Sequence, residues 1–290
     1  MPESRSSNPA ARTGWPLVAL VVIAAASSTI AVNAVVFRPP VLNQLQALRA
    51  ATGGLVSPTL IGSAIPLVSV VGICIFLIGR VPPREIGWVR SGILPACLVT
   101  FGIWVSVQAA FAAIQLAGGN QPQLHPVWER RGVLFVLGEL GGQIFGNALL
   151  EETVFRGFLF TQLLILFQEF APRRSAFLLA AILSQAFFAV THIPNRLLVD
   201  PAATGLVLDQ VLLLVSGLLF LAVYLITANL WIAVGLHALV NTPTPLVQAG
   251  EDLLNPAIVG ATLFLLLVWR PLANRVRARR CKTAELPERV

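Results

Sequence analysis

Long apolar runs, separated by short polar segments, dominate the chain. They lie near residues 16–37, 60–78, 92–117, 133–167, 175–193, 204–226, 231–249 and 256–269. A membrane-spanning helix needs about 20 predominantly apolar residues, and these runs are continuous. The pattern therefore predicts an all-α, polytopic membrane protein of about eight transmembrane helices in a single bundle.

Composition supports lipid as the solvent for most of the chain. Its 290 residues are 56% hydrophobic and 11% charged, whereas a soluble domain carries about 25% charged residues. Polar tails at residues 1–14 and 271–290 flank the predicted bundle of residues 15–270. No separate soluble domain is expected.

The basic residues predict an orientation. The net charge is +7, which by itself is also compatible with nucleic-acid binding. If the N-terminus is cytoplasmic, however, the non-cytoplasmic side receives few basic residues: Arg38, Arg49, Arg130, Arg131 and Arg196. Cytoplasmic loops of membrane proteins carry an excess of Lys and Arg. We therefore expect a multi-pass protein of the cell membrane with both termini cytoplasmic, in contact with the lipid bilayer and with no nucleic-acid partner.

Proline and glycine mark the predicted connections. Pro39, Pro40, Gly53 and Gly54 predict an irregular outer loop over residues 38–58. Pro172 predicts a turn between two antiparallel helices, and the stretch 227–230 predicts a second tight turn.

Three glycines recur every four residues in the fourth apolar run, at Gly138, Gly142 and Gly146. Small residues at this spacing lie on one face of a helix and allow close packing in lipid. We interpret this stripe as a packing surface without a catalytic role.

Two adjacent carboxylates, Glu151 and Glu152, lie within the same run, followed by Arg156. Each ionisable group at the centre of a membrane span costs on the order of 3 kcal/mol, so pairing, function or both must offset this cost. Glu152 and Arg156 are four residues apart with the carboxylate first, the favourable order for an ion pair on a helix. Glu151 has no such local partner and is free to face a cavity. Taken alone, the motif fits a general base and a purely structural polar network equally well.

Two later polar pairs also have helical i, i+4 spacing: Phe188 with His192, and His237 with Asn241. Glu151 and His192 lie at nearly equal distances from Pro172, which predicts equal depth on neighbouring helices. His237 and Asn241 could stabilise a developing oxyanion or make an interhelical hydrogen bond. Span counting places His237 shallower than Glu151, so either the first hairpin extends beyond the bilayer or the second enters only partway. Asp209 has no such partner and is expected to be structural, whereas Glu139 is solitary and is assigned no role.

In combination these residues resemble the CAAX protease and bacteriocin-processing (CPBP, or Abi) family. The resemblance rests on Glu151-Glu152-x-x-x-Arg156-Gly157, Phe188-x-x-x-His192 and His237-x-x-x-Asn241, in this order. Residues 224–231 and the stretch Glu85-Ile86-Gly87-Trp88 are also similar. The resemblance to the family covers about residues 80–245, and all six motif positions match.

The resemblance implies an intramembrane endopeptidase related to the prenyl-protein CAAX endopeptidases, acting on a membrane-associated or lipidated peptide. Glu151 would activate water together with His192, while His237 and Asn241 would stabilise the oxyanion. Glu152 and Arg156 would support the site. The family is often named as metalloproteases, although the related mechanism is thought to be glutamate-dependent.

A zinc site of Glu151, His192 and His237 is the alternative, because two His and one Glu form a known catalytic ligand set. The His-Glu-x-x-His spacing that places two zinc ligands on one helix is absent from the sequence. No cofactor is therefore expected.

Two other function classes stay open. The chain could be a non-enzymatic family member that acts as a membrane immunity or scaffold protein, although a protein without activity is free to lose Glu151. A transporter that uses Glu151 and Glu152 as a proton relay is disfavoured, because the sequence has no inverted-repeat signal.

Overall fold

A computed structural model describes residues 12–199, 202–248 and 253–284. The regular secondary-structure elements among these residues are helices, and Leu124 and Val247 form an isolated antiparallel β-bridge. The helices are α1 (Trp15–Val36), α2 (Val41–Ala51), α3 (Pro58–Ile78), α4 (Ile93–Ala117), α5 (Val127–Arg131), α6 (Val133–Phe167), α7 (Arg173–Val190), α8 (Ile193–Val199), α9 (Leu206–Thr227), α10 (Leu230–Asn241) and α11 (Leu254–Ala284).

The helix lengths confirm an all-α, polytopic membrane fold. Within the described residues, α1, α3, α4, α6, α7 and α9 lie in the six segments that are long and apolar enough to cross a membrane. Two predicted runs correspond to shorter apolar helices, α10 and the segment Leu254–Trp269 of α11. Apolar side chains cover much of the outer surface as well as the core, as expected when lipid surrounds the bundle.

The seventh run was predicted to extend to residue 249, but α10 ends at Asn241. Pro243 and Pro245 follow, and proline disfavours helical geometry in the residue before it. The nonhelical backbone after α10 is held by side chains from elsewhere. Trp104 Nε1 donates to the Thr244 carbonyl at 2.8 Å, and Gln108 Oε1 accepts the backbone N–H groups of residues 246 and 247.

The glycine stripe of α6 is a close-packing surface. A Cβ atom at Gly138 would lie 2.2 Å from the Gly54 carbonyl oxygen, and one at Gly142 would lie 2.2 Å from Ser57 Oγ. A Cβ atom at Gly146 would lie 3.0 Å from Ser63 Cβ. The absence of side chains at these positions lets α6 approach α3 and the segment before it, and this contact fixes the position of α6 in the bundle.

Two predictions about the periphery are wrong. The segment 38–58 is not an irregular loop throughout, because α2 occupies Val41–Ala51. Glu139 is not solitary, since its Oε1 lies 2.8 Å from Arg49 Nη2. Asp209, for which a structural role is expected, accepts a hydrogen bond from Arg196 Nε at 3.0 Å. These partners come from other helices, so spacing along the chain did not reveal them.

Helix lengths explain how His237 comes level with Glu151. The α6 helix has 35 residues and, at about 1.5 Å per residue, spans about 50 Å, well beyond a hydrocarbon core of about 30 Å. The α10 helix has 12 residues and covers about 18 Å. A residue near the end of short α10 therefore reaches the middle of long α6.

Candidate active site

The α6 helix carries both glutamates in its most buried stretch. Every residue from Glu151 to Phe160 is buried. The helix has wider, π-type geometry over Gln143–Asn147 and again over Glu152–Phe160. Such segments inside α-helices frequently occur at functional sites. Glu151 and Glu152 thus lie at the start of the second wide segment and point to different neighbours.

Glu152 and Arg156 form the ion pair that their spacing predicts. Glu152 Oε1 lies 3.1 Å from Arg156 Nη1, and neither side chain has any solvent exposure. The Arg156 guanidinium also lies over the Phe188 ring, 4.3 Å from its centroid, and Nη2 donates to the Gly217 carbonyl at 3.4 Å. Pairing and the aromatic face together compensate a charge that would otherwise be costly to bury.

His237 on α10 lies between the two carboxylates. Its Nδ1 is 2.7 Å from Glu152 Oε1, and its Nε2 is 3.4 Å from Glu151 Oε2. The imidazole also stacks on Phe220 of α9, with ring centroids 4.4 Å apart and an interplanar angle of 13°. These contacts hold the ring in one orientation. The pair between His237 and Glu152 joins helices that lie far apart in sequence, and the i, i+4 patterns did not predict it.

His192 lies on the other side of Glu151, in the turn between α7 and α8. Its Nδ1 is 2.8 Å from the Phe188 carbonyl oxygen, and its Nε2 is 3.5 Å from Glu151 Oε1. Because a carbonyl oxygen only accepts hydrogen bonds, Nδ1 carries a proton and Nε2 faces Glu151. The expectation of equal depth for Glu151 and His192 agrees with this geometry.

Asn241 lies one turn beyond His237, apart from the other five motif residues. It is exposed, and its Nδ2 donates to Gln143 Oε1 on α6 at 3.0 Å. An amide nitrogen has two N–H bonds, so this contact leaves one donor available and restricts the direction of the amide. The sequence analysis missed Gln143, although it precedes Glu151 by two helical steps of four residues.

A small cavity of about 60 Å³ opens beside Glu151 and His192. A water molecule requires a cavity of about 10–15 Å³ on this scale, so a few waters fit. Its polar wall also includes Thr29, Asn147 and Thr191, and its apolar wall includes Leu150 and Phe155. Sequence reasoning missed Asn147, although its i−4 relation to Glu151 was visible.

Zinc does not fit the side-chain arrangement well. Among the described residues, no group of three or more His, Cys, Asp or Glu side chains is arranged to hold a metal ion. Both ring nitrogens of His237 face carboxylate oxygens, and Glu152 is itself engaged by Arg156. Of the three side chains of the zinc alternative, Glu151 lies 3.5 Å from His192 and 3.4 Å from His237.

Comparison with known proteins gives one family. Residues 133–243 match the family described as Type II CAAX prenyl endopeptidase Rce1-like, and this segment contains all six motif residues. The search of curated proteins and the search of solved structures found no significant match. The matched segment begins with α6 and ends just after α10, the two helices that bring His237 to the glutamates. In this multi-pass membrane protein, residues 133–243 are therefore similar to the Rce1-like domain of CAAX prenyl endopeptidases.

Proposed function

We propose that this protein is an intramembrane endopeptidase that hydrolyses a peptide bond in a membrane-associated or lipidated peptide. The observation that carries the proposal is the position of Glu151. Its carboxylate lies between His192 and His237, at 3.5 and 3.4 Å, and lines a cavity large enough for water. The match to a peptidase family supports the same general activity.

Glu151 and His192 are proposed to activate the attacking water. The Nδ1 proton of His192 is engaged by the Phe188 carbonyl, so a neutral His192 presents the lone pair of Nε2 to the cavity. A single water about 2.8 Å from both Glu151 Oε1 and His192 Nε2 can donate one hydrogen to each. Glu151 then takes one proton as the water oxygen attacks the peptide carbonyl carbon. It returns that proton to the leaving nitrogen as the C–N bond breaks.

His237 and Asn241 are proposed to stabilise the oxyanion of the tetrahedral intermediate. Because the N–H at Nδ1 of His237 is donated in a hydrogen bond to the Glu152 carboxylate, Nε2 has a hydrogen to donate to an oxyanion only when His237 is an imidazolium. With Glu151, Glu152, Arg156 and His237 ionised and His192 neutral, the buried cluster has no net charge. A neutral cluster is what a low-dielectric environment favours, which supports this protonation state.

Glu152 and Arg156 are proposed to act through His237. Arg156 keeps Glu152 ionised at 3.1 Å, and Glu152 holds the Nδ1 side of His237 at 2.7 Å. This arrangement resembles the carboxylate that orients the imidazole in a Ser-His-Asp triad. We infer that no metal takes part and that zinc bound by Glu151, His192 and His237 is the alternative.

The proposed setting is the cell membrane, with both termini cytoplasmic. Reporter fusions after residues 14 and 275 test this orientation, and signals from opposite sides would contradict it. The substrate is expected to be a peptide or protein at the membrane, and nothing in the site requires that it be prenylated.

The test of the proposed activity compares peptides from membranes and culture medium of cells that produce the wild type or Glu151→Gln. Peptides that end at one defined bond should be present with the wild type and absent with Glu151→Gln at equal protein levels. Purified wild type should then cleave the synthetic precursor at the same bond. If the two proteomes are identical, the proposal fails and the non-enzymatic immunity or scaffold function is favoured.

A further inference from the structure

A polar stripe runs along α6 towards the site. Glu139, Gln143, Asn147 and Glu151 follow one another at intervals of four residues, so they lie on one side of the helix. Glu139, Gln143 and Asn147 are each partly exposed. The stripe therefore continues the polar surface of the cavity beyond the glutamate motif.

The members of this stripe differ in their partners. Glu139 pairs with Arg49, Gln143 accepts from Asn241, and Glu151 lies beside His192 and His237. The Asn147 side chain makes no hydrogen bond with any described residue, yet it lines the cavity together with Glu151 and His192. An amide in a membrane-embedded wall is costly without a partner. This amide is therefore available to a ligand in the cavity.

We propose that Asn147 binds the backbone of the peptide substrate, a role that rests on the proposed endopeptidase function. A primary amide offers a donor and an acceptor, which matches the C=O and N–H of a peptide group. Asn147 and Glu151 are separated by one α-helical step of four residues, or about 6 Å along the axis. In an extended peptide, groups two residues apart are about 6.6–6.8 Å apart and face the same side.

The four-residue step of α6 and the two-residue step of an extended peptide are nearly equal in length. This match indicates which peptide group Asn147 contacts. When the scissile carbonyl lies at Glu151, an extended chain along α6 presents the peptide group two residues away to Asn147. Gln143, one further step along the stripe, is already occupied by Asn241. The contact is made with backbone atoms, so it selects an extended conformation and is independent of the substrate's side chains.

Binding is measured with Glu151→Gln as the background, so that turnover does not interfere. The probe is a fluorescently labelled peptide that spans the cleavage site found in the proteome comparison, and its anisotropy gives Kd in lipid nanodiscs. Adding Asn147→Leu should weaken binding about tenfold. Adding Asn33→Leu should leave Kd within twofold, because that amide donates to a carbonyl of its own helix and does not line the cavity.

A second measurement uses probes N-methylated at the peptide group two residues before or after the scissile bond. One of the two methylated probes should bind to Glu151→Gln about tenfold more weakly than the unmethylated probe does. Adding Asn147→Leu should abolish that difference. Asn147→Ala replaces Asn147→Leu if the latter is poorly folded, since alanine favours the helix. An unchanged Kd after adding Asn147→Leu overturns this inference alone. Equal sensitivity to N-methylation in Glu151→Gln with and without Asn147→Leu does the same. If the wild type cleaves no peptide, the proposed function fails first and this inference falls with it.

Discussion

Two adjacent faces of α6 have the same four-residue repeat but opposite chemistry. One face presents Gly138, Gly142 and Gly146, and the other presents residues one position later: Glu139, Gln143, Asn147 and, after one more step, Glu151. The glycine face contacts backbone and small side chains so closely that a Cβ atom would overlap at Gly138 and Gly142. The polar face contacts side chains from α2, from the turn after α7 and from α10, or lines the cavity.

The comparison shows how a membrane helix holds charge in a defined place. Close packing on the glycine face fixes the rotation and height of α6 through van der Waals contacts, the main source of helix association in lipid. The polar face then has no packing role, and its side chains lie at distances from their partners that suit hydrogen bonding. Substitutions on each face separate these two contributions, from the largest expected effect to the smallest.

The polar face should account for turnover. Glu151→Gln should lower kcat of the purified enzyme by about 10²–10⁴-fold, the usual contribution of a general base, with an unchanged melting temperature. The matched control is Glu169→Gln, which removes an exposed carboxylate paired with Arg12 and should retain full activity. Wild-type kcat in Glu151→Gln would rule out the proposed base.

The neighbouring carboxylate should matter for stability as well. Glu152→Gln leaves Arg156 without a counter-charge in a fully buried position, and breaking such a pair costs about 3–5 kcal/mol. Thermal unfolding followed by tryptophan fluorescence should show a large decrease in melting temperature. Glu169→Gln should show almost none, because exposed pairs contribute about 0–1 kcal/mol. An equal shift in both variants would mean that Arg156 does not depend on Glu152.

Asn241 and Gln143 should act as a unit. Asn241→Ala should lower kcat by about 10²–10³-fold, the usual effect of losing one oxyanion donor. Gln143→Leu should lower kcat by a smaller factor, because the amide of Asn241 would lose the contact at 3.0 Å that directs it. In the double variant the Gln143 change should have no further effect on kcat. Additive losses in this double-mutant cycle would indicate independent roles.

The glycine face should affect stability and leave the chemistry intact. Gly138→Ala places a methyl group 2.2 Å from the Gly54 carbonyl oxygen, and overpacking of this kind costs about 1–3 kcal/mol. Gly141→Ala is the control on the same helix, since nothing lies within 4 Å of the position that its methyl group would take. Only Gly138→Ala should lower the melting temperature. Equal melting temperatures would show that the bundle opens to accommodate the methyl group.

Metal removal should have the smallest effect. Activity should persist after exhaustive chelation, with the metal content measured on the same sample. Loss of activity that stoichiometric zinc restores would contradict the glutamate mechanism. It would make Glu151, His192 and His237 the ligands.

Local patterns predicted much of the molecule. Hydropathy predicted the helices because each span must satisfy its backbone hydrogen bonds internally and face lipid. Spacing predicted the pair of Glu152 with Arg156, since residues four apart are neighbours on a helix. The segment 38–58 was the clearest failure, because α2 begins directly after the prolines that suggested a loop.

By itself, the sequence determined the membrane class, the approximate helix boundaries, the glycine face and the six residues of the motif. Only the tertiary structure decided which of these residues meet. It placed His237 between the two glutamates, Asn241 on Gln143, Arg49 on Glu139 and Asn147 in the cavity wall. The physical reason is that contacts between helices depend on their rotation, tilt and relative height. These follow from packing between distant segments and from the wide turns of α6, which a periodicity within one helix does not specify.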